Sequence, residues 1–190
     1  KIMKLWQIMG ELQTIFSPKI AEDWDNVGLL VGNENTDINT ILLCLDITEE
    51  VVDRAVKENA DLIISHHPFI FSGLKKITSE TVHGRKILKL IENKIAVYSG
   101  HTNVDFGING LNDYLFYKLD LNGKVEIYNE FEYEDYNFIK HRNEHVKGGT
   151  VRIKILDHEI ELTNLIRIIK EKLGLDFVRY VGENRKIRKI

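Results

Sequence analysis

Residues 40–68, TILLCLDITEEVVDRAVKENADLIISHHP, carry the pattern of a strand, a helix and a second strand in succession. The apolar runs at 41–45 and 62–64 have the length of strands that are buried on both faces. Between them, Thr48 can cap a helix, and the apolar residues at 51, 52, 55 and 56 form one helical face. This succession predicts two parallel strands joined by a helix.

The same pattern continues on both sides of this unit. Apolar residues at 5, 8, 9, 12 and 15 predict an amphipathic helix that Pro18 ends. Residues 87–91 predict another helix, and the apolar run at 95–98 predicts a third short strand. Because buried parallel strands need helices on each side, we predict an α/β fold, a layered sheet with helices on both faces.

A second, smaller α+β lobe is predicted after a helix at 111–119. Residues 151–155 alternate between apolar and basic side chains, which is typical of a half-exposed antiparallel strand. Residues 162–173 predict a helix that Gly174 ends, and 177–181 predict a further strand. We expect two domains, 1–120 and 121–190. Residues 185–190 resemble the beginning of a strand, so we also expect the C-terminal part of the protein to be missing.

Composition and charge exclude several classes of protein. With 43% hydrophobic residues, 29% charged residues and only two prolines, the chain is neither disordered nor fibrous. The net charge of −3 provides no basic excess for displacing counterions, which argues against nucleic acid as a ligand. No apolar stretch approaches the roughly 18 residues of a membrane span. Because the only cysteine, Cys44, cannot form an intrachain disulfide, we expect a cytoplasmic protein with a buried, inert thiol.

Residues capable of metal chemistry follow each predicted strand. Asp46 follows the first strand, His66 and His67 the second, and His101 and Asp105 the third. Since the carboxyl ends of parallel strands meet at one edge of a sheet, we expect these side chains to lie close together. Imidazole and carboxylate ligands suit Zn, Fe, Mn or Co better than Ca. The sequence therefore predicts a divalent-metal site at this edge.

Several of these residues keep a second interpretation. His101 fits a metal ligand or a hydrogen-bond partner of one, and Asp46 fits a ligand or a helix cap. Asn26 is polar among apolar neighbours and is a candidate for lining a pocket. The other histidines, at 83, 141, 145 and 158, lie in polar surroundings and are expected at the surface. No GxGxxG, GxxxxGK[ST] or GxSxG motif is present, so the common nucleotide cradles and the serine-hydrolase elbow have no support.

Three separated motifs occur in order along the chain: EDWDNVGLLVG at 22–32, DLIISHHP at 61–68 and HTNVD at 101–105. Together they resemble the GTP cyclohydrolase I type 2 homologues, also called the NIF-three-like family. The resemblance implies a two-lobed α/β protein with a dinuclear centre of divalent ions, two per chain in the intact family. By motif, His66, His67 and Asp105 match metal ligands, and His101 matches a position beside the centre.

The resemblance also implies a function and an assembly. We expect a metal-dependent hydrolase that acts on a nucleotide or a phosphorylated small molecule, with its catalytic residues unknown. The alternative is a non-catalytic metal-binding or regulatory interaction protein. Basic residues at 75, 76, 85 and 86 favour a phosphorylated substrate, unless they only form an exposed helix face. The resemblance implies a homo-oligomer, in the family a ring-shaped homohexamer, and a C-terminal His-x-x-x-Glu pair of ligands that has no match in residues 1–190.

Overall fold

The computed structural model describes residues 2–190 of the chain. Within this range the chain forms two compact units. The first contains the residues up to Val104 together with Tyr133–Val146, and the second contains Asp105–Glu132 and Lys147–Ile190. The division into domains 1–120 and 121–190 stays a prediction. No described helix combines the length and the apolar character that crossing a bilayer requires.

The described residues form six α-helices and nine strands, with a short 3₁₀ helix at Pro18–Ile20. In chain order the elements are β1 (Met3–Lys4), α1 (Leu5–Ile15), β2 (Gly28–Val31), β3 (Asp37–Ile38), β4 (Ile41–Cys44), α2 (Glu49–Lys57), β5 (Leu62–Ser65), α3 (Val82–Glu92), β6 (Ala96–Ser99), α4 (Thr102–Phe106), α5 (Leu111–Leu119), β7 (Gly123–Asn137), β8 (Arg142–Glu161), α6 (Leu162–Leu173) and β9 (Lys186–Lys189).

A four-stranded sheet in the order β2-β6-β5-β4 forms the centre of the first unit. Strands β4, β5 and β6 are parallel, as their apolar runs predict, with Leu42 opposite Ile63 and Ile63 opposite Val97. Strand β2 pairs antiparallel with β6. The side chain of Thr48 accepts a hydrogen bond from the backbone N–H of Val51 and caps α2, as predicted.

Helices cover both faces of this sheet. Ile63 and Val97 belong to the core cluster that contains Val52 of α2 and Ile87 of α3. Other residues of β5 and β6 point to the opposite face and pack with Leu5 of α1. Because successive residues of a strand point to opposite faces, a run of consecutive apolar residues can serve both clusters. The prediction of a mixed α/β fold with a covered sheet is confirmed.

A three-stranded sheet has the order β7-β8-β9, and the second unit contains all of it except the parts of β7 and β8 within Tyr133–Val146. Strand β9 pairs antiparallel with β8, with Ile187 opposite Ile160. The strand predicted at 177–181 is wrong, because these residues form no strand and Phe177 and Val181 are exposed. Residues 186–189 pair with β8 instead, as the alternation at the end of the chain indicates. Helix α6 ends before Gly174, which has a φ of 66°.

Candidate metal centre

The parallel register of the sheet brings three strand ends to one edge. Cys44, the last residue of β4, lies opposite Ser65 of β5, and Ser65 lies opposite Ser99 of β6. The buried hydroxyl groups of Ser65 and Ser99 are hydrogen-bonded at 2.8 Å, which fixes the two strand ends beside each other. The residues that follow these ends, at 46, 66–67 and 101, therefore emerge side by side.

Three histidines form a cluster at this edge, which we call the imidazole triad: His66, His67 and His101. Each contributes one nitrogen to a group of atoms that all lie within 4.8 Å of one another. The ring centroids are 5.2 Å apart for His66 and His67, 5.2 Å for His66 and His101, and 5.8 Å for His67 and His101. A group of imidazole nitrogens this close together could hold a metal ion.

The Nδ1 atom of each triad ring lies against an oxygen atom. His66 Nδ1 is 3.0 Å from the carbonyl oxygen of Gly100, and His67 Nδ1 is 2.7 Å from Oδ1 of Asp46. His101 Nδ1 is 3.1 Å from both carboxylate oxygens of Asp25. Since carbonyl and carboxylate oxygens only accept, each Nδ1 donates, and in the neutral form of such a ring the lone pair is on Nε2. A histidine that binds metal through one nitrogen commonly has this arrangement at the other.

Asp46 thus contacts the triad through His67. The two sequence-based alternatives for Asp46 were a metal ligand and a helix cap, and the cap of α2 is Thr48. The carboxylate of Asp46 instead accepts the hydrogen bond from His67, and both side chains are about half exposed, at 59% and 46%. Asp46 therefore orients an imidazole in this structure.

Asp25 is the carboxylate that sequence reasoning missed. Its side chain is fully buried and accepts hydrogen bonds from the Thr102 N–H at 3.1 Å and the Thr102 hydroxyl at 2.5 Å, besides the one from His101. Burial, the largest influence, acts to raise the pKa of Asp25, but the hydrogen bonds from Thr102 and His101 outweigh it and hold the pKa below the usual 3.8. The only sequence signal was its position inside the motif at 22–32.

Asn26 connects two loops beside the triad. Its side-chain Nδ2 donates a hydrogen bond of 2.5 Å to the carbonyl oxygen of Ile70. The ring centroids of Trp24, two residues before Asn26, and Phe71, the residue after Ile70, are 6.0 Å apart. The ring of Trp24 is also 6.2 Å from that of His101. The amide of Asn26 thus holds the two loops together, and its role in lining a pocket stays a prediction.

Asp105 lies in the second unit, on α4. Its backbone carbonyl accepts a hydrogen bond from Asn112, and the chain just after it is held by Arg152, whose side chain is 1% exposed. Arg152 donates to the carbonyl oxygen of Gly107 at 3.0 Å and to Oδ1 of Asp113 at 2.7 Å. The role of Asp105 as a metal ligand stays a prediction.

Other residues singled out in the sequence are engaged elsewhere. Arg85 contacts Glu49 at 3.4 Å, and Lys86 donates to the carbonyl oxygen of Ile47 at 2.6 Å, so neither is a ready phosphate ligand. Cys44 is half-buried rather than buried, and burial together with the charge of Asp46 raises its pKa to about 11, which fits the expected inert thiol. His83, expected at the surface, is half-buried, with its ring centroid 4.8 Å from that of Phe69.

Known proteins are similar in sequence to this chain over most of its length. The GTP cyclohydrolase 1 type 2 homolog of Clostridium perfringens is 38% identical over 189 residues, which are 99% of this chain and 68% of that protein. The Protein NIF3 homolog of Schizosaccharomyces pombe is 34% identical over 176 residues, which are 91% of this chain and 61% of that protein. The chain thus spans roughly two thirds of the length of these relatives.

Solved structures share the fold. A hypothetical protein of Staphylococcus aureus superposes with a TM-score of 0.82 at 31% identity, covering all of this chain and 71% of that one. A Bacillus cereus protein related to NIF3 gives a TM-score of 0.81 at 25% identity, covering all of this chain and 75% of that one. The family model for Duf34/NIF3 (NGG1p interacting factor 3) matches residues 3–190. The chain therefore belongs to the Duf34/NIF3 family.

Proposed function

We propose that this chain binds a divalent transition-metal ion at the imidazole triad and acts as a metal-dependent hydrolase on a nucleotide or a phosphorylated small molecule. One observation carries the proposal: all three triad rings have Nδ1 against an oxygen acceptor. In a chance cluster of three histidines, nothing would require all three Nδ1 atoms to donate and so to share one tautomer. The shared tautomer supports a common ligand for their Nε2 atoms.

The chemistry of the donors favours a transition metal. Neutral imidazoles are ligands for Zn, Fe, Mn or Co, whereas Ca and Mg prefer oxygen. His66, His67 and His101 would hold the ion, with Asp105 proposed as a further ligand. Asp25 and Asp46 would fix the ring orientations and place negative charge beside the imidazoles, which raises their strength as ligands.

Solvent access supports a catalytic rather than a closed structural site. The side chain of His67 is 46% exposed, whereas that of His101 is 21% exposed, so water reaches the triad from the side of His67. A catalytic metal keeps an exchangeable position, whereas a structural metal is enclosed by its ligands. A bound ion would supply Lewis acidity and lower the pKa of a coordinated water. The residues of this chain would orient the ligands and leave that side open to a substrate.

The name of the Clostridium perfringens relative, GTP cyclohydrolase 1 type 2 homolog, is the reason for proposing a nucleotide. The experiment assays protein loaded separately with Zn, Mn or Co for ring opening of GTP and for hydrolysis of simple phosphoesters. We expect turnover that a chelator abolishes and that added metal restores. Metal binding without turnover of any of these substrates would contradict the hydrolase proposal and favour a non-catalytic metal-binding protein.

A further inference from the structure

Two exposed aromatic side chains lie beside the imidazole triad. Trp24 is 58% exposed and Phe71 is 53% exposed, although both are large apolar residues. Their ring centroids are 6.0 Å apart with an angle of 53° between the planes, so the rings touch but do not stack on each other. The Trp24 ring is 6.2 Å from the His101 ring, at 74°. We call Trp24 and Phe71 the aromatic pair.

Local structure fixes the aromatic pair at this place. In the segment after His67, Phe69 is 7% exposed and packs in the core, whereas Phe71, two residues later, remains exposed. The hydrogen bond from Asn26 to the Ile70 carbonyl joins this segment to the loop that carries Trp24. Asp25, between Trp24 and Asn26, is bonded to the triad. Of three consecutive residues, Trp24 therefore provides an indole ring beside the triad, Asp25 orients His101, and Asn26 joins the two loops.

The exposed surface beside the triad fits recognition through a ring. Of the four basic residues expected to favour a phosphorylated substrate, at 75, 76, 85 and 86, Arg85 is engaged with Glu49 and Lys86 with the Ile47 carbonyl. Exposed aromatic rings, in contrast, bind flat heterocycles by stacking, and they do so without regard to the hydrogen-bonding pattern of the base. A planar partner would cover the exposed apolar surface of the aromatic pair.

We propose that the aromatic pair binds the purine ring of a nucleoside or nucleotide beside the imidazole triad. This inference rests on the proposed function and narrows its substrate class. It distinguishes a heterocyclic substrate, which the aromatic pair can hold, from a simple phosphoester, which has no ring to stack. Trp24 and Phe71 act in substrate binding and specificity, and the triad holds the metal.

The two tryptophans of the chain, Trp6 and Trp24, allow a direct test. The Trp6→Phe variant leaves Trp24 as the only indole, and Trp6 lies on α1, where a phenylalanine keeps an aromatic ring. The probes are inosine 5′-monophosphate and ribose 5-phosphate, which differ only by the hypoxanthine ring, and the buffer contains a chelator. We expect saturable quenching of Trp24 fluorescence by inosine monophosphate and none by ribose 5-phosphate.

Variants test whether binding depends on stacking with Trp24 and Phe71 or changes whenever any exposed aromatic ring is removed. Trp24→Leu and Phe71→Leu should each weaken binding of inosine monophosphate about 5- to 100-fold by calorimetry, the range expected for loss of one stacking ring. Trp24→Phe should restore part of the affinity. The control is Phe138→Leu, which removes another exposed ring, 75% exposed, from the turn between β7 and β8. Equal binding of both probes, or unchanged binding by Trp24→Leu, would overturn the proposal.

The design distinguishes this inference from the metal proposal. Because the probes are titrated in chelator, ring binding is measured without any ion at the triad. A chain that binds zinc but not inosine monophosphate would overturn the role of the aromatic pair and leave the metal proposal standing. If the chain binds inosine monophosphate in chelator but takes up no zinc when zinc is offered in a separate titration without chelator, the result would support the aromatic pair and contradict the metal proposal.

Discussion

The substitution Asp25→Asn tests how a buried carboxylate orients His101. In the wild type, the carboxylate of Asp25 accepts hydrogen bonds from His101 Nδ1, from the N–H and the hydroxyl of Thr102, and from the N–H of Asn26. An amide replaces one of the two acceptor oxygens with an NH₂ group, so at least one of these donors would face another donor. A buried donor without an acceptor costs about 1–3 kcal/mol.

Asp25→Asn should lower both the stability of the fold and the affinity for zinc, and the two effects are measured separately. The free energy of unfolding should fall by about 1–3 kcal/mol, measured in urea without metal. Affinity for zinc, measured by competition with a chromophoric chelator, should fall about 10- to 100-fold, which is about 1.4–2.8 kcal/mol. The matched control is Asp23→Asn, which makes the same change of charge two residues away at an exposed side chain. We expect the control to keep wild-type stability and wild-type zinc affinity.

The two measurements together can refute the reasoning. If Asp25→Asn loses stability but binds zinc as tightly as Asp23→Asn, Asp25 serves the fold and does not orient a ligand. If it loses neither, the hydrogen bonds of the buried carboxylate contribute much less than the structure indicates.

Gly32→Ala should destabilise the chain by more than about 2 kcal/mol, because Gly32 has a φ of +119° and its added Cβ would lie 2.7 Å from Cβ of Ala96. The control Gly73→Ala, where nothing lies within 4 Å of the added atom, should change the unfolding free energy by less than about 1 kcal/mol, and equal losses in urea unfolding would contradict the argument. Asp135→Asn should cost about 1–3 kcal/mol at neutral pH, because this buried carboxylate accepts hydrogen bonds from the buried hydroxyl of Ser17 and from other side chains. Burial acts to raise the pKa of Asp135 but its hydrogen bonds lower it below 3.8, so the ionised carboxylate stabilises the fold above that pH and this contribution is lost as the pH falls through the lowered value. Urea unfolding at several pH values measures this contribution. The interpretation is wrong if the difference in unfolding free energy between wild type and Asp135→Asn stays constant down to strongly acidic pH.

Much of the fold was predictable because its signals are local. The apolar runs that become β4, β5 and β6 identify themselves by length and composition, and Thr48 and Gly174 mark helix ends. The rule that parallel strand ends share one edge then predicts the meeting of the triad segments. The strand predicted at 177–181 failed because the partner of β8 is decided by pairing across the sheet, which local composition does not encode.

The partners of the triad could not be derived from the sequence in the same way. Asp25 and His101 are 76 positions apart, and their hydrogen bond depends on how the loop before β2 packs against the start of α4. Asp46 looked like a helix cap because it is close to the true cap in sequence, whereas its contact with His67 spans 21 positions. Only the three-dimensional structure shows that both carboxylates face imidazoles.

The most direct test of the central claim is the zinc content per chain by elemental mass spectrometry after loading and removal of free metal. It compares the wild type with the triple variant His66→Ala, His67→Ala, His101→Ala and with the control His158→Ala, which removes an exposed histidine. Circular dichroism confirms that each variant is folded. We predict at least one ion per chain in the wild type and in His158→Ala, and about a tenth of that or less in the triple variant, because affinity for zinc depends on the imidazole ligands. A wild-type chain without zinc, or a folded triple variant with undiminished zinc, would contradict the assignment of the imidazole triad as a metal centre.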